Sequence, residues 1–505
     1  MPCTTLLVGK HASYDGSTMI ARNDDAPSNH FTAKKLAIFA AQNGARTYRS
    51  VLSHVEIPLP ETSLRCTAMP NALAGEGIWA AAGVNEANVA MTATETITSN
   101  PRVLAADPLV VYTPAAETAP EQPGGIGEED IVCLVLPYIK SAREGVLRLG
   151  KLLEQYGTYE MNGIAFQDLD EIWWFETIGG HHWIARRVPD DAYVVMPNQF
   201  GIDRFDLKDA FSAQSECLCS EDLREFLSEN HLDLALPASA GARDAASAAL
   251  LDARAAFGSH EDADHVYNTP RAWYMLRYFN PHTKKWDGPD ADYTPVSDDL
   301  PWCMVPEKKI TLEDVKYVLS SHYQGTEYDP YAASADEKKR GMYRPIGISR
   351  NDFLGLFQLR PYAPSESCAI EWAAFASNTF NVMAPIYGNV DAVPAYFANT
   401  GETVSTDNFY WTSRLIAAMA DASYKKSIFH IERYQLAVQS KTGALLHKYD
   451  KLLAAETDPE KRKALREQGN QEIADLVQHE SNAVLGKVLF ELSLQMKNTY
   501  ARSDA

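Results

Sequence analysis

The stretch MNGIAFQDLDEIWWFETIGGHHWIARRVPDDAYVVMPNQF, residues 161–200, admits few architectures. Runs at 163–168, 171–177 and 182–187 are rich in β-branched and aromatic residues and are separated only by short turns. They read as three consecutive strands, with a fourth at 192–196 ending at Pro197-Asn198. Parallel strands need a crossover of about a dozen residues or more, for which there is no room here. An antiparallel meander of four strands is the expectation.

The chain opens in the same style. In CTTLLVGKHASYDGSTMIARNDD, residues 3–25, positions 4–9 form a β-branched and aliphatic run. Tyr14-Asp15-Gly16 signals a turn, and 18–21 form a second apolar run, which together make a hairpin. Cys3 then sits at one tip, where Arg22-Asn23-Asp24-Asp25 comes back. A cysteine at the true start of a strand can use its own α-amine as base. That amine has a pKa of roughly 7.7–8.0 against about 8.5 for the thiol, so proton transfer is nearly balanced and no histidine is needed. A nearby arginine and aspartate would depress the thiol pKa and position a substrate. For the amine to be free, Met1-Pro2 must be removed.

Further along, GVNEANVAMTATET reads as another hairpin, and the Pro/Gly/Ala-rich residues 100–127 as a surface loop. A helix is expected from Glu128-Glu129-Asp130 onward and another over 142–156. The acidic, Ala-rich segment 205–265 reads as a peripheral helical insertion. From Ser427 the pattern is helical with one break near Thr457-Asp458-Pro459. This divides the chain into a body, 3–426, and a helical extension, 427–505, packed on the body or on a neighbouring subunit.

Composition excludes several roles. A net charge of -21 argues against nucleic acid and anionic membranes as partners. No apolar run approaches the roughly 20 residues that span a bilayer, and no secretory signal opens the chain. Seven scattered cysteines form no disulfide framework and suit a reducing cytoplasm. Cys217-Leu218-Cys219 lacks the second pair or histidine of a zinc site. His181-His182, if on a strand, would point to opposite faces and not share an ion. His322 and Asp329 either shape a pocket or form a loop, and Trp173-Trp174 read as core and interface. No metal or other cofactor is expected.

CTTLLVGKHASYDGSTMIARNDD resembles the opening of the dipeptidase A family, cysteine dipeptidases of the N-terminal nucleophile (Ntn) hydrolase superfamily. That superfamily also holds choloylglycine hydrolases, penicillin V acylases and secernins. GVNEANVAMTATET, EIWWFETIGGHHWIARRVPDDAYVVMPNQF, YNTPRAWYMLRYFNP, SHYQGTEYDPY and ASNTFNVMAPIYGNV are similar to family stretches in family order.

The resemblance implies an α+β fold, a four-layer αββα sandwich of antiparallel sheets. It makes Cys3 the nucleophile and its α-amine the general base, with Arg22 and Asp25 tuning and orienting the cysteine. Asn198 is implied to stabilise the oxyanion and Arg271 to belong to the active site. Glu95 stands where relatives carry an oxyanion-hole asparagine. A carboxylate there fits instead the free ammonium of a dipeptide. The implied function is a metal-independent cytoplasmic dipeptidase acting through a Cys3 acyl-thioester on dipeptide substrates, assembled as a homo-oligomer. Two alternatives stay open: an amidase of the bile-salt or penicillin V type, and a secernin-like interaction protein with little turnover.

Overall fold

The computed structural model describes residues 3–93, 95–235, 250–333 and 336–498. Met1-Pro2, whose removal the sequence reading requires, lie outside the described residues, as does most of the Ala-rich part of 205–265.

The opening hairpin forms as expected. Strand β1 (Cys3–Val8) pairs antiparallel with β2 (Thr18–Asp25), and both are buried along their whole length. Full burial of two such strands means that each has a layer on both faces. They lie at the centre of a seven-stranded sheet, flanked by Tyr193–Met196 on one side and Asn351–Leu359 on the other. A second, nine-stranded sheet contains Asn162–Gln167, Ile172–Ile178 and His182–Arg187, the first three strands of the meander. The expected hairpin forms as Ala82–Asn85 with Ala90–Thr92, and it lies in this same sheet.

The fourth meander strand departs from the reading. Tyr193–Met196 leaves its three predecessors and pairs with β1 in the other sheet, Thr5 opposite Met196 and Val8 opposite Tyr193. The cause lies in Val188-Pro189-Asp190-Asp191. Val188 still donates to the Ile172 carbonyl, but Pro189 has no N–H to extend the ladder. The Asp190 and Ala192 carbonyls instead accept from His11 at 2.7 Å and Gly9 at 2.9 Å. This switch carries Asn198 to the end of β1.

The two sheets face one another across an apolar core, and the alternation of Trp173 and Trp174 shows how the layers separate. Trp174 points into the core between the sheets. Trp173 points outward into a second cluster with Phe166, Phe175 and Leu149, beneath the helices Glu128–Val135 and Ala142–Tyr156. Ser141 caps the latter helix, its hydroxyl accepting from the Glu144 N–H at 3.1 Å, and Gly157, at φ +68°, ends it. The result is an α+β fold of antiparallel sheets with helices outside them.

One loop reading and one helical reading need correction. Residues 101–106 of the expected loop form a helix, because Asn100 accepts from the Arg102 and Val103 N–H groups and Pro101 occupies the first turn. The described part of 205–265, expected to be helical, holds short helices at Leu207–Ala210, Leu223–Glu229 and Ala253–Phe257 and the start of another at Asp264–Tyr267. It also holds the strand Cys217–Cys219, which joins the nine-stranded sheet. Asp209 holds an irregular loop there, accepting from the N–H groups of Ser215, Glu216 and Cys217.

The C-terminal helices Tyr424–Ala455 and Pro459–Ser493 break where Asp458 caps the second by accepting from Glu460 and Lys461. They pack on the body: Asn470 exchanges two hydrogen bonds with the backbone of Tyr387, and Arg360 pairs with Asp450 at 2.7 Å. No helix among the described residues is long and apolar enough to cross a membrane.

Candidate active site

The β1–β2 register decides which side chains meet. Cys3 stands opposite Asp24 and Thr5 opposite Arg22, so these four share the face turned toward the second sheet. Asn23 and Asp25 face the other way. Asn23 donates to the carbonyls of Leu319 and Ile346 on that side.

Arg22 gathers the thiol site. Its Nη2 lies 2.9 Å from Cys3 Sγ, 3.2 Å from Asp24 Oδ1 and 2.6 Å from Glu128 Oε1, while Nη1 donates to the Ala81 carbonyl at 2.7 Å. Lys34 Nζ sits 3.0 Å from the second oxygen of Asp24. Cys3, Arg22, Asp24 and Lys34 are wholly buried, so each charge requires its partner. Burial works against the Arg22 charge, but Cys3, Asp24 and Glu128 raise its pKa further above its ordinary range. For Asp24 burial likewise opposes ionisation, and Lys34 and Arg22 outweigh it and hold the carboxylate below its usual range.

The thiol behaves otherwise than the sequence suggested. Burial pushes the Cys3 pKa far up; Arg22 pulls it down, while Glu128, Asp24 and Glu95 add to the rise. The balance of these influences favours the protonated thiol over the thiolate. Cys3, Asp24 and Glu128 offer ligand atoms within 4.8 Å of one another. Arg22 Nη2 already contacts all three, so a metal ion would have to displace a paired guanidinium.

A second cluster surrounds the backbone of Cys3. The Cys3 N–H donates to Asn198 Oδ1 at 3.1 Å. Arg271 Nη1 donates to the Cys3 carbonyl and to Thr4 Oγ1, and Nη2 to Asn198 Oδ1 at 2.8 Å and Asn268 Oδ1 at 2.7 Å. Asn198 Nδ2 donates to the Thr96 carbonyl at 3.0 Å. Burial, reinforced by Arg344, pushes the Arg271 pKa down to about 10. Arg271 lies on the helix Thr269–Phe279, which starts with Pro270 in its first turn.

Asp25 does not reach the thiol. It pairs with Arg344 and accepts from Asn351 Nδ2 at 2.9 Å, behind the sheet from Cys3. Glu95 does enter the space between the sheets: Thr5 Oγ1 donates to its Oε2 at 2.7 Å. Its Oε1 has no hydrogen-bond partner among the described residues. Burial lifts this carboxyl to about 7, against the pull of Arg271 and Thr5.

Sequence reasoning missed Asp24, Glu128, Lys34 and Asn268. Residue parity on β2 would have selected Asp24 over Asp25, whereas Glu128 was visible only as an acid at a helix start. The paired histidines turn out to share a partner: both Nδ1 atoms approach Asp107, at 2.9 and 2.7 Å, because His181 lies in the turn before the strand. His322 and Asp329 are hydrogen-bonded at 2.9 Å and stand apart from the thiol cluster.

The family described as peptidase family C69 matches residues 2–437. A dipeptidase of Bifidobacterium longum is 51% identical, with each chain covered in full. A probable dipeptidase A of Streptococcus pyogenes serotype M3 is 50% identical, again over the whole of both chains. A probable dipeptidase B of Lactococcus lactis is 41% identical over 99% of this chain and 98% of its own. Among solved structures, a mutant conjugated bile acid hydrolase from Clostridium perfringens matches 77% of this chain and 92% of its own, at 12% identity and a TM-score of 0.29. With a family match across most of its length and relatives at half identity along all of it, this chain belongs to peptidase family C69 and is a peptidase.

Proposed function

We propose that this peptidase cleaves dipeptides, with Cys3 as nucleophile and the Cys3 α-amine as general base once Met1-Pro2 has been removed. One observation supports this reading above others. The nitrogen of Cys3 is held by Asn198 while its sulfur is held by Arg22, so both ends of a thiol–amine pair have fixed partners.

Attack transfers the S–H proton to the amine as the S–C bond forms, because burial disfavours a free thiolate. The oxyanion that develops is stabilised by Asn198, which must turn its amide from the Thr96 carbonyl toward the substrate, and by the cationic field of Arg271. As the C–N bond breaks, the ammonium returns its proton to the leaving amine. The same amine then activates water to hydrolyse the thioester. Asp25 acts at one remove: it holds Arg344, whose guanidinium covers the Tyr267 ring, and the Tyr267 carbonyl accepts from Arg271. Glu95, with a free carboxylate oxygen, receives the substrate ammonium.

Seven unpaired cysteines support a reducing, cytoplasmic setting. Leu436 and Phe490, exposed on the C-terminal helices, support self-association, which sedimentation of Leu436→Glu tests.

The test of the mechanism is intact mass combined with activity. Active protein should begin at Cys3, hydrolyse unblocked dipeptides in preference to acyl-glycines, and lose turnover as Cys3→Ala while keeping its fold. Full activity in protein that retains Pro2 overturns the amine base.

A further inference from the structure

A cavity of about 370 Å³ lies behind the catalytic hairpin, between the helix Leu312–Leu319, the strand Ala369–Phe375 and the helix Tyr424–Ala455. Lys316 is on its wall. Lys316 Nζ donates to Ser320 Oγ and to the Asn378 carbonyl, each at 2.7 Å. Burial alone pushes this amine down to about 7, with no neighbouring carboxylate offsetting it. With two neutral acceptors this amine has a third hydrogen-bond direction left over, and an anion placed there would both fill it and favour the charged form that burial disfavours.

The remaining wall narrows the choice of anion. Trp372, Met383 and Ile428 give it an apolar side, Gln324 and Gln435 add polar groups, and Glu313 and Glu432, both exposed residues, also line it. A half-buried lysine, an apolar surface and two more exposed carboxylates on one cavity match a zwitterion with an apolar side chain. We propose that this cavity binds a free apolar L-amino acid, its carboxylate on Lys316 and its ammonium toward Glu313 and Glu432.

The cavity is separate from the thiol site but adjoins the same strand. Asn378, whose carbonyl binds Lys316, donates through Nδ2 to Asn23 Oδ1 at 2.8 Å. Asn23 lies between Arg22 and Asp24 in sequence and on the opposite face of β2. The ligand is thus of the class that peptide hydrolysis releases. That link to the product rests on the dipeptidase reading; the binding itself does not.

Calorimetric titration of L-methionine into Cys3→Ala protein tests the site without turnover, so its outcome is independent of the proposed mechanism. Lys316→Met should weaken one binding event by about tenfold or more, and Glu432→Gln should weaken the same event by a smaller factor. L-methionine amide, which lacks the carboxylate, should not bind in the cavity. If Lys316→Met fails to fold, the amide and the exposed Glu432→Gln variant still decide. An isotherm unchanged by the variants, or full affinity for the amide, overturns the proposal.

Discussion

Cys3 stands directly opposite Asp24 in the β1–β2 ladder, with Sγ 3.9 Å from Asp24 Oδ1. The negative charge of Asp24 raises the thiol pKa, whereas Asp25 spends its charge on Arg344 behind the sheet. Asp24→Asn should therefore move the alkylation profile of Cys3 to lower pH. Asp25→Asn should leave that profile in place. Peptide mapping of iodoacetamide labelling across a pH series reads both, and a shift confined to Asp25→Asn would bring that residue to the thiol instead.

Arg22→Lys should lower kcat/KM by about 100-fold, or roughly 2.7 kcal/mol of transition-state stabilisation. A lysine keeps the charge but cannot span Cys3, Asp24, Glu128 and the Ala81 carbonyl from one planar group. Steady-state kinetics with thermal melting separates lost chemistry from lost fold. A variant as active as the parent would remove Arg22 from the reaction. Chelators should leave the parent enzyme's rate unchanged, since Arg22 fills the space among the three ligand atoms.

What the sequence made legible follows the range of the interactions. The strands Ile172–Ile178 and His182–Arg187 and the helix Ala142–Tyr156 come from local periodicity and caps, and local signals located them to within a residue or two. The opening hairpin's second strand, read as 18–21, instead runs on through the charged residues to Asp25. The strand Tyr193–Met196 was also visible, but not its partner: which sheet it joins depends on carbonyls offered to Gly9 and His11, about 180 residues earlier. The same limit hid Glu128, which reaches Arg22 across 106 residues. Lys34 was overlooked because its value lies in burial against Asp24, which no local pattern records.

Glu371 offers a stability test remote from catalysis. It is buried in the strand Ala369–Phe375, with no ion-pair partner among the described residues and only the Thr67 side chain working against the effect of burial. Burial raises its pKa from 4.5 to about 7. Between those values the folded chain holds a proton that the unfolded chain has lost, so stability falls as pH rises, by about 1.4 kcal/mol per unit. Below that window the residue costs nothing of this kind. Glu371→Met should accordingly match the parent near pH 4.5 and exceed it by about 3 kcal/mol at pH 8. Melting temperatures at the two pH values measure the difference; a gain that does not grow with pH would mean that Glu371 is ionised at no cost.

If Glu95 receives the substrate ammonium as proposed, substrate recognition should depend on pH. Its carboxyl is raised to about 7 by burial, so it is mostly neutral in mild acid and mostly charged above neutrality. An ammonium pairs only with the charged form. KM for an unblocked dipeptide should thus fall as pH rises through about 7, until the substrate amine itself deprotonates at roughly 7.7–8.0. Glu95→Gln should flatten that dependence and raise KM about tenfold or more, because a buried ammonium would meet an amide in place of a countercharge. Thr5 can donate to the glutamine carbonyl as it does to Oε2, so the fold should tolerate the change. Kinetics with the same dipeptide and its N-acetyl derivative complete the test, since the derivative has no ammonium and should not distinguish the two proteins. A glutamine variant with unchanged KM and higher kcat would reverse the assignment: position 95 would then serve the oxyanion, as the asparagine does in the resembling hydrolases, and the ammonium would be held elsewhere.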